Sequence, residues 1–265
     1  MTPLPAVFIS HGAPTLPLED APAGDFLKRL GQELARPRAV VAVSAHWEAK
    51  VPTVGSVARP ETIHDFYGFP DELYQLAYPA PGDPALAARV GELMDAAGIE
   101  ARTNERRGLD HGAWVPLMMM YPEADVPVVQ LSVQSRLGPR HHLMLGRALD
   151  PLREEGVLVL ASGNATHNLA ELERDLERDE PLAYVEAFDD WLIAAVTEGR
   201  TEDLLDYRQQ APEAARAHPS EEHLLPLFVA LAASGANGAA VPGRLLHRSY
   251  RYRALAMTAF AFGEE

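Results

Sequence analysis

The chain has 265 residues, enough for one large or two small domains and a substantial buried core. With 38 acidic against 23 basic side chains it carries a formal charge of −15, a surface that repels phosphate backbones and anionic membranes and argues against nucleic acid and membrane partners. It contains no cysteine, so disulfides, thiolate metal sites, iron–sulfur clusters and cysteine nucleophiles are excluded, and any metal must be held by His, Asp, Glu or water. No apolar run reaches the roughly 18 residues of a membrane span, and no basic segment followed by a long apolar one opens the chain. The cytoplasm is therefore the expected compartment.

In chain order, Ala6–Ser10 reads as a buried strand that ends at His11 and Gly12. A helix is predicted over Phe26–Ala35, and a second strand over Ala39–Ala45 runs into His46. The segment IHDFYGFP is an aromatic loop whose Phe66, Tyr67 and Phe69 could flank an aromatic substrate or simply pack together. Ala80–Pro84 reads as a turn, followed by a helix over Pro84–Ala97. His111 lies in a Gly-Leu-Asp-His-Gly turn ahead of an apolar helix, with Asp110 placed either to orient it or to cap the helix. Met118, Met119 and Met120 are expected core filler.

Val126–Val133 and Val157–Ala161 are the next predicted strands, separated by a helix over His141–Arg153 that opens on two histidines expected to be exposed. His167 closes the turn Ser-Gly-Asn-Ala-Thr-His, in which Thr166 or Asn168 could instead serve only as a helix cap. A helix follows over Tyr184–Thr197, and His223 stands in HPSEEHLLPL near a further helix start. Gly235–Gly243 reads as a loop, and Arg248–Ala254 and Met257–Phe262 as late strands able to pair antiparallel with the main sheet. Strands alternating with helices predict a three-layer α/β/α domain with a mixed central sheet, residues 1–265 forming one catalytic unit.

Three histidines thus follow buried strands and emerge where open α/β sheets build their sites. Neutral imidazole is the commonest ligand for transition metals, so the pattern points to a mononuclear metal enzyme. Either His223 or an adjacent glutamate could complete a ligand set, and spacing alone does not decide; His223 is favoured because Glu221 and Glu222 also fit as first-turn helix charges. His111 suits proton transfer or a hydrogen bond to substrate or O2. His218 and His223 are five apart and do not share a helical face. Arg244, Arg248 and Arg251 could meet a substrate carboxylate or form an exposed basic strand.

The motifs SHGAPT, SAHWE, TIHDFYGFP with LAYPAPG, GLDHGAWVPL, PVVQLSV, SGNATHNL and HPSEEHLLPL occur in this order along nearly the whole chain. Together they resemble the class III extradiol ring-cleavage dioxygenases of the LigB superfamily, in the single-chain DOPA 4,5-dioxygenase branch. The resemblance implies a LigB-like α/β/α fold and a non-haem Fe(II) that activates O2 toward a catechol, with Zn(II) able to occupy the site as purified. It implies His11, His46 and His223 as metal ligands, His167 as a fourth contact or the base, and His111 as the histidine that steers O2 and protons. Two-subunit members use a glutamate as third ligand, whereas here His223 stands beside Glu222. Two other readings of the residues are a zinc-dependent hydrolase and a non-enzymatic interaction module on the same fold. Small-molecule catechol and O2 are the expected partners, and a monomer or weak homo-oligomer is expected because no zipper or long exposed apolar helix appears.

Overall fold

The computed structural model describes residues 3–173, 180–234 and 241–263. In chain order the elements are β1 (Ala6–Ser10), α1 (Pro22–Glu33), β2 (Ala39–Glu48), β3 (Thr53–Gly55), α2 (Pro84–Ala96), β4 (Arg102–Asn104) and α3 (His111–Met120). Next come β5 (Val128–Val133), α4 (Gly138–Leu149), β6 (Val157–Gly163) and α5 (Ala183–Thr197). After them lie the short helices α6 (Thr201–Leu205), α7 (Tyr207–Gln210) and α8 (Ala214–Ala217), then α9 (Leu225–Ala232). The chain closes with β7 (Arg244–His247), β8 (Tyr250–Arg251), β9 (Leu255–Ala256) and β10 (Ala259–Phe262). No helix among the described residues is long and apolar enough to cross a membrane.

Eight strands form one mixed sheet in the order β4-β3-β5-β2-β6-β1-β10-β7. Its centre, β5-β2-β6-β1, is parallel, and β10 joins β1 antiparallel through Ala6–Phe262 and Phe8–Phe260 pairing. Successive side chains of a strand point to opposite faces, which divides the core in two. Val40, Ala42, Leu158 and Leu160 pack beneath α1 and α3, while Val41, Val43, Val157 and Val159 pack beneath α2, α4, α5 and α9. The continuous apolar runs of the central strands follow from this burial on both faces. The predicted three-layer arrangement with a mixed sheet is the one observed.

Local departures from expectation have identifiable causes. The third predicted strand begins only at Val128, because Pro127 has no N–H to give to the ladder. Arg248–Ala254 is not a strand of the main sheet. Tyr252 and Arg253 adopt left-handed backbone (φ 50° and 59°) and turn the chain, so β8 and β9 form a separate hairpin while Arg244–His247 takes the edge position beside β10. Met118–Met120 line the core as expected. The expected loop Gly235–Gly243 falls mostly outside the described residues, which resume at Val241.

Two histidines are placed differently from expectation, and His141 is half-buried with its Nε2 3.0 Å from Gln134 Oε1. His142 is fully buried, not exposed. Its Nδ1–H donates to the Gly138 carbonyl at 2.8 Å and its Nε2 accepts from the Gln134 backbone N–H at 3.1 Å, so a neutral ring is satisfied on both sides. Burial pushes its pKa down to about 4. The unfolded chain, with an imidazole pKa near 6.5, takes the proton first, so this stabilisation is present above about pH 6.5 and is lost as pH falls toward 4. At about 1.4 kcal/mol per pH unit the full window is worth on the order of 3 kcal/mol. Urea titrations at pH 7 and pH 4.5 are expected to show a larger loss of stability in the wild type than in His142→Gln; equal losses would remove His142 from the acid sensitivity.

Candidate metal centre

The three adjacent parallel strands β2-β6-β1 end together, and the site stands at that edge. His11 is the residue after β1, and its backbone N–H still bonds the Gly163 carbonyl at 2.9 Å. His46 lies near the end of β2, where pairing with β5 jumps from Ser44–Ser132 to Glu48–Val133. The irregular stretch Ala45–Trp47 leaves the ladder, which is how a strand re-aims a side chain toward a site. His223 precedes α9, and its loop is packed on the end of β6. The Asn164 N–H bonds the His223 carbonyl at 2.9 Å, and a Cβ at Gly163 would lie 2.0 Å from that oxygen, so only glycine fits there.

Three Nε2 atoms converge. Those of His11 and His46 are 3.0 Å apart, and those of His46 and His223 are 3.2 Å apart. The protons on the opposite ring nitrogens are assigned by their partners. Ser162 gives its hydroxyl proton to the Gly112 carbonyl, so the 2.9 Å contact between His11 Nδ1 and Ser162 Oγ has the imidazole as donor. His223 Nδ1 donates to the Glu222 carboxylate at 2.9 Å, and His46 Nδ1 faces the acceptor-only carboxylate of Asp65 at 3.7 Å. The Nε2 lone pairs of His11 and His223 therefore point toward His46 Nε2, and Asp65 places a negative charge, not a hydrogen bond, behind the His46 ring. Two nitrogens each about 2.0–2.1 Å from a shared ion, at tetrahedral or octahedral angles, lie about 2.9–3.4 Å apart, so the observed spacing fits one bound divalent cation.

Electrostatics agree with that arrangement. Burial, followed by repulsion from neighbouring imidazoles, pushes His11, His46 and His223 well below their usual pKa. Rings that stay neutral across the physiological range are ready ligands. Helix α3 supplies part of the scaffold. Pro116 lies inside it and has no N–H to return to the Gly112 carbonyl, the acceptor that then receives Ser162 and indirectly fixes His11. A Cβ on Gly112 would come within 3.0 Å of His46 Cδ2 and 2.5 Å of Ser44 Oγ, so a side chain there would push His46 out.

The remaining histidines surround the trio. His167 stacks on His223, ring centroids 3.4 Å apart and 13° from parallel, and burial pushes its pKa down to about 4. The ring thus lies flat against a member of the trio, outside the triplet of converging nitrogens. Asn168 beside it does cap the next turn, accepting from the Ala170 N–H at 3.2 Å, so the capping and site roles coexist. His111 begins α3, with its ring centroid 3.8 Å from that of His46. Asp110 does not orient it: its carboxylate takes Ser44, Arg107 and Gln130 instead, and no side-chain cap bond is made. The partner of His111 is Asp65, which the motif TIHDFYGFP contains but which carries no periodicity or spacing signal of its own. Its Oδ1 accepts from the His111 Nδ1–H at 2.9 Å and from the backbone N–H at 3.0 Å. Burial opposes the Asp65 charge, but the His111 hydrogen bonds and neighbouring imidazoles win and hold its pKa at about 2.

A cavity of about 390 Å³ opens over the centre, lined by His11, His46, His111 and His167 on one side and by Phe66, Phe69, Tyr252 and Leu255 among its apolar walls. The aromatic loop therefore does flank the site. The three arginines considered for substrate do not line this cavity. Arg248 is engaged by Asp189 and Asp190, Arg251 by Glu19, and Arg244 lies on the exposed edge strand with an interaction of its own. His218 is buried beneath the site, donating to the Ala165 carbonyl at 2.8 Å.

Comparison with known proteins decides the family. Residues 5–263 match the family described as the catalytic LigB subunit of aromatic ring-opening dioxygenase. The chain belongs to that family. It is 47% identical over 247 residues to a protein of Beta vulgaris named 4,5-DOPA dioxygenase extradiol, covering 92% of this chain and 90% of the relative. A protein of the same name from Escherichia coli K12 is 40% identical over 235 residues, covering 88% and 86%. The crystal structure of an uncharacterized protein from Escherichia coli K12 superposes with a TM-score of 0.80 at 32% identity, covering 98% of this chain and 100% of that one. The LigB family member described here is an extradiol ring-cleaving dioxygenase, a metal-dependent enzyme acting on a small aromatic molecule with O2.

The proton acceptors behind the trio carry a testable role. Ser162→Ala and Glu222→Ala each remove one and are expected to weaken binding of zinc about 10- to 100-fold in a chelator competition, without loss of fold. Unchanged affinity in both would mean that these contacts do not set the imidazole orientation.

Proposed function

We propose that the chain opens the ring of a catechol such as DOPA beside its diol, using a non-haem Fe(II) held by His11, His46 and His223. The observation that supports this reading is the convergence of three Nε2 atoms, at 3.0 and 3.2 Å, two of whose rings line an aromatic-walled cavity. Residues 1–265 act as one catalytic domain. Both atoms of O2 enter the product as a ring carbon–carbon bond next to the diol breaks, one ending in a carboxylate and the other in an aldehyde.

Fe(II), when bound, supplies the change of oxidation state that lets O2 react with a coordinated diol, which Zn(II) does not. The protein does the rest. Phe66 and Phe69 offer ring faces to a planar substrate, and the apolar wall keeps bulk water from the opened ring. His167 is the base that takes a diol proton. Its low pKa keeps it unprotonated at neutral pH, and its flat stacking on His223 suits it to meet substrate rather than to serve as a fourth metal contact. His111 meets O2 or the departing proton with its free ring nitrogen. Glu222 stands behind His223 as its acceptor, which supports His223 as the third ligand in place of the glutamate.

Stripping the metal, reloading with Fe(II) without oxygen, then adding L-DOPA or caffeate and air is expected to give oxygen uptake and a new yellow product. A Zn(II)-loaded control should give neither. Absence of uptake across a panel of catechols, with iron shown to be bound, would refute the reading. His11→Ala and His46→Ala should lose both metal and turnover, whereas His111→Phe should keep the metal and turn over slowly. Full activity in His11→Ala would remove it from the ligand set.

A further inference from the structure

We propose that Asp65 is the positioning residue of the dioxygenase site, acting through His111 by fixing which of its ring nitrogens faces the cavity. The inference rests on the catechol-cleaving reading above only for its kinetic arm. Asp65 Oδ1 receives two N–H groups from one residue, the backbone N–H of His111 at 3.0 Å and its Nδ1–H at 2.9 Å. A carboxylate can only accept, so the Nδ1 position carries the proton and Nε2 is the nitrogen left for an occupant of the cavity. The double contact fixes both the ring rotation and the tautomer, as a backing carboxylate does for other site histidines.

The placement of Asp65 is built into the backbone. It lies on the long connection between β3 and α2, yet the preceding residues are tied to the segment that carries His111. The Leu109 N–H bonds the Glu61 carbonyl at 2.8 Å, and the Ile63 N–H bonds the Leu109 carbonyl at 2.7 Å. Trp114 Nε1–H reaches the Ile63 carbonyl at 3.0 Å, and a Cβ at Gly108 would lie 2.1 Å from the Glu61 carbonyl oxygen. Residues 61–63 and 108–114 therefore form one strapped unit, with Asp65 held against the start of α3. The alternative partner, Asp110, has its oxygens committed to Ser44, Arg107 and Gln130. Asp65 Oδ2 is 3.7 Å from His46 Nδ1, beyond hydrogen-bond length, so the strong contacts of this carboxylate all go to His111.

The test has a structural and a kinetic arm. In the zinc-loaded wild type, histidine 15N NMR is expected to show His111 as the Nδ1–H tautomer; the Nε2–H form there would overturn the proposal without any variant. In zinc-loaded Asp65→Ala the preference should be lost, while zinc affinity changes by less than about threefold, well short of what loss of a ligand-supporting contact costs. A large loss of zinc would mean that Asp65 acts through His46 and would overturn the assignment. With iron and L-DOPA, Asp65→Ala should lower kcat about 10- to 100-fold with little change in KM. The same substitution placed on His111→Phe should cost almost nothing further. An equal cost in both backgrounds would show a route other than His111. If no catechol is turned over by the wild type, the functional reading fails while the tautomer result still decides the role of Asp65.

Discussion

Three imidazoles, two buried and one half-buried, whose Nε2 atoms approach within 3.2 Å in the order His11–His46–His223 are the constraint on which the rest of the site depends. Two of the rings are pinned from behind by an acceptor on a different element, His11 by Ser162 on β6 and His223 by Glu222 on the loop before α9, while His46 is carried by the irregular end of β2. Three imidazole nitrogens gathered this closely from distant parts of the chain suit a shared cation, and it is the fold that brings them together.

The pinning reaches into ordinary secondary structure. Pro116 breaks the hydrogen-bond ladder of α3 at the one carbonyl, Gly112, that Ser162 needs in order to leave its oxygen free for His11. A proline in a helix interior usually costs about 3 kcal/mol. Here the residue is buried in a helix that is apolar on all sides, and the freed carbonyl finds a hydroxyl, so the polar group is not orphaned. Asp110, at the same turn, gathers Ser44, Arg107 and Gln130, while Arg107 also donates to the His46 carbonyl at 3.1 Å. The start of α3 is thus where orientation of His11, His46 and His111 is decided together.

Much of this was legible in the chain itself. The apolar runs ending at His11, His46 and the SGNATH turn locate the sheet edge because strand burial and strand ends leave a periodic signature. Spacing does not separate His223 from Glu222, since adjacent residues differ only in which side of a turn they face, and His223 is favoured only because the glutamates also fit as helix-start charges. Asp65 stood in a motif without any periodic marker, and its role depends on pairing between residues 61–63 and 109, a contact across a long connection. His142 reads as polar at a helix start. Its burial comes from the Gln134 N–H and Gly138 carbonyl that close around it, local geometry that composition does not encode. The Tyr252–Arg253 turn was hidden for a related reason: neither residue favours left-handed backbone, so nothing in their identity announces the hairpin.

That strained turn connects the fold to the cavity. Tyr252 lines the cavity, and its hydroxyl donates to Glu19 Oε1 at 2.7 Å, while Glu19 Oε2 receives Arg251 at 2.9 Å and Thr15 donates to Oε1 at 2.6 Å. Left-handed backbone at two consecutive residues with side chains costs on the order of 1–3 kcal/mol each and persists only where the surroundings over-determine it. The Glu19 carboxylate, gripped from three directions, supplies that over-determination. The part of the cavity wall that Tyr252 supplies is therefore held by the Glu19 carboxylate, as the histidines are held by hydrogen bonds. A planar substrate between them meets two preorganised surfaces and does not have to order them on binding, which leaves its binding energy available for the reaction.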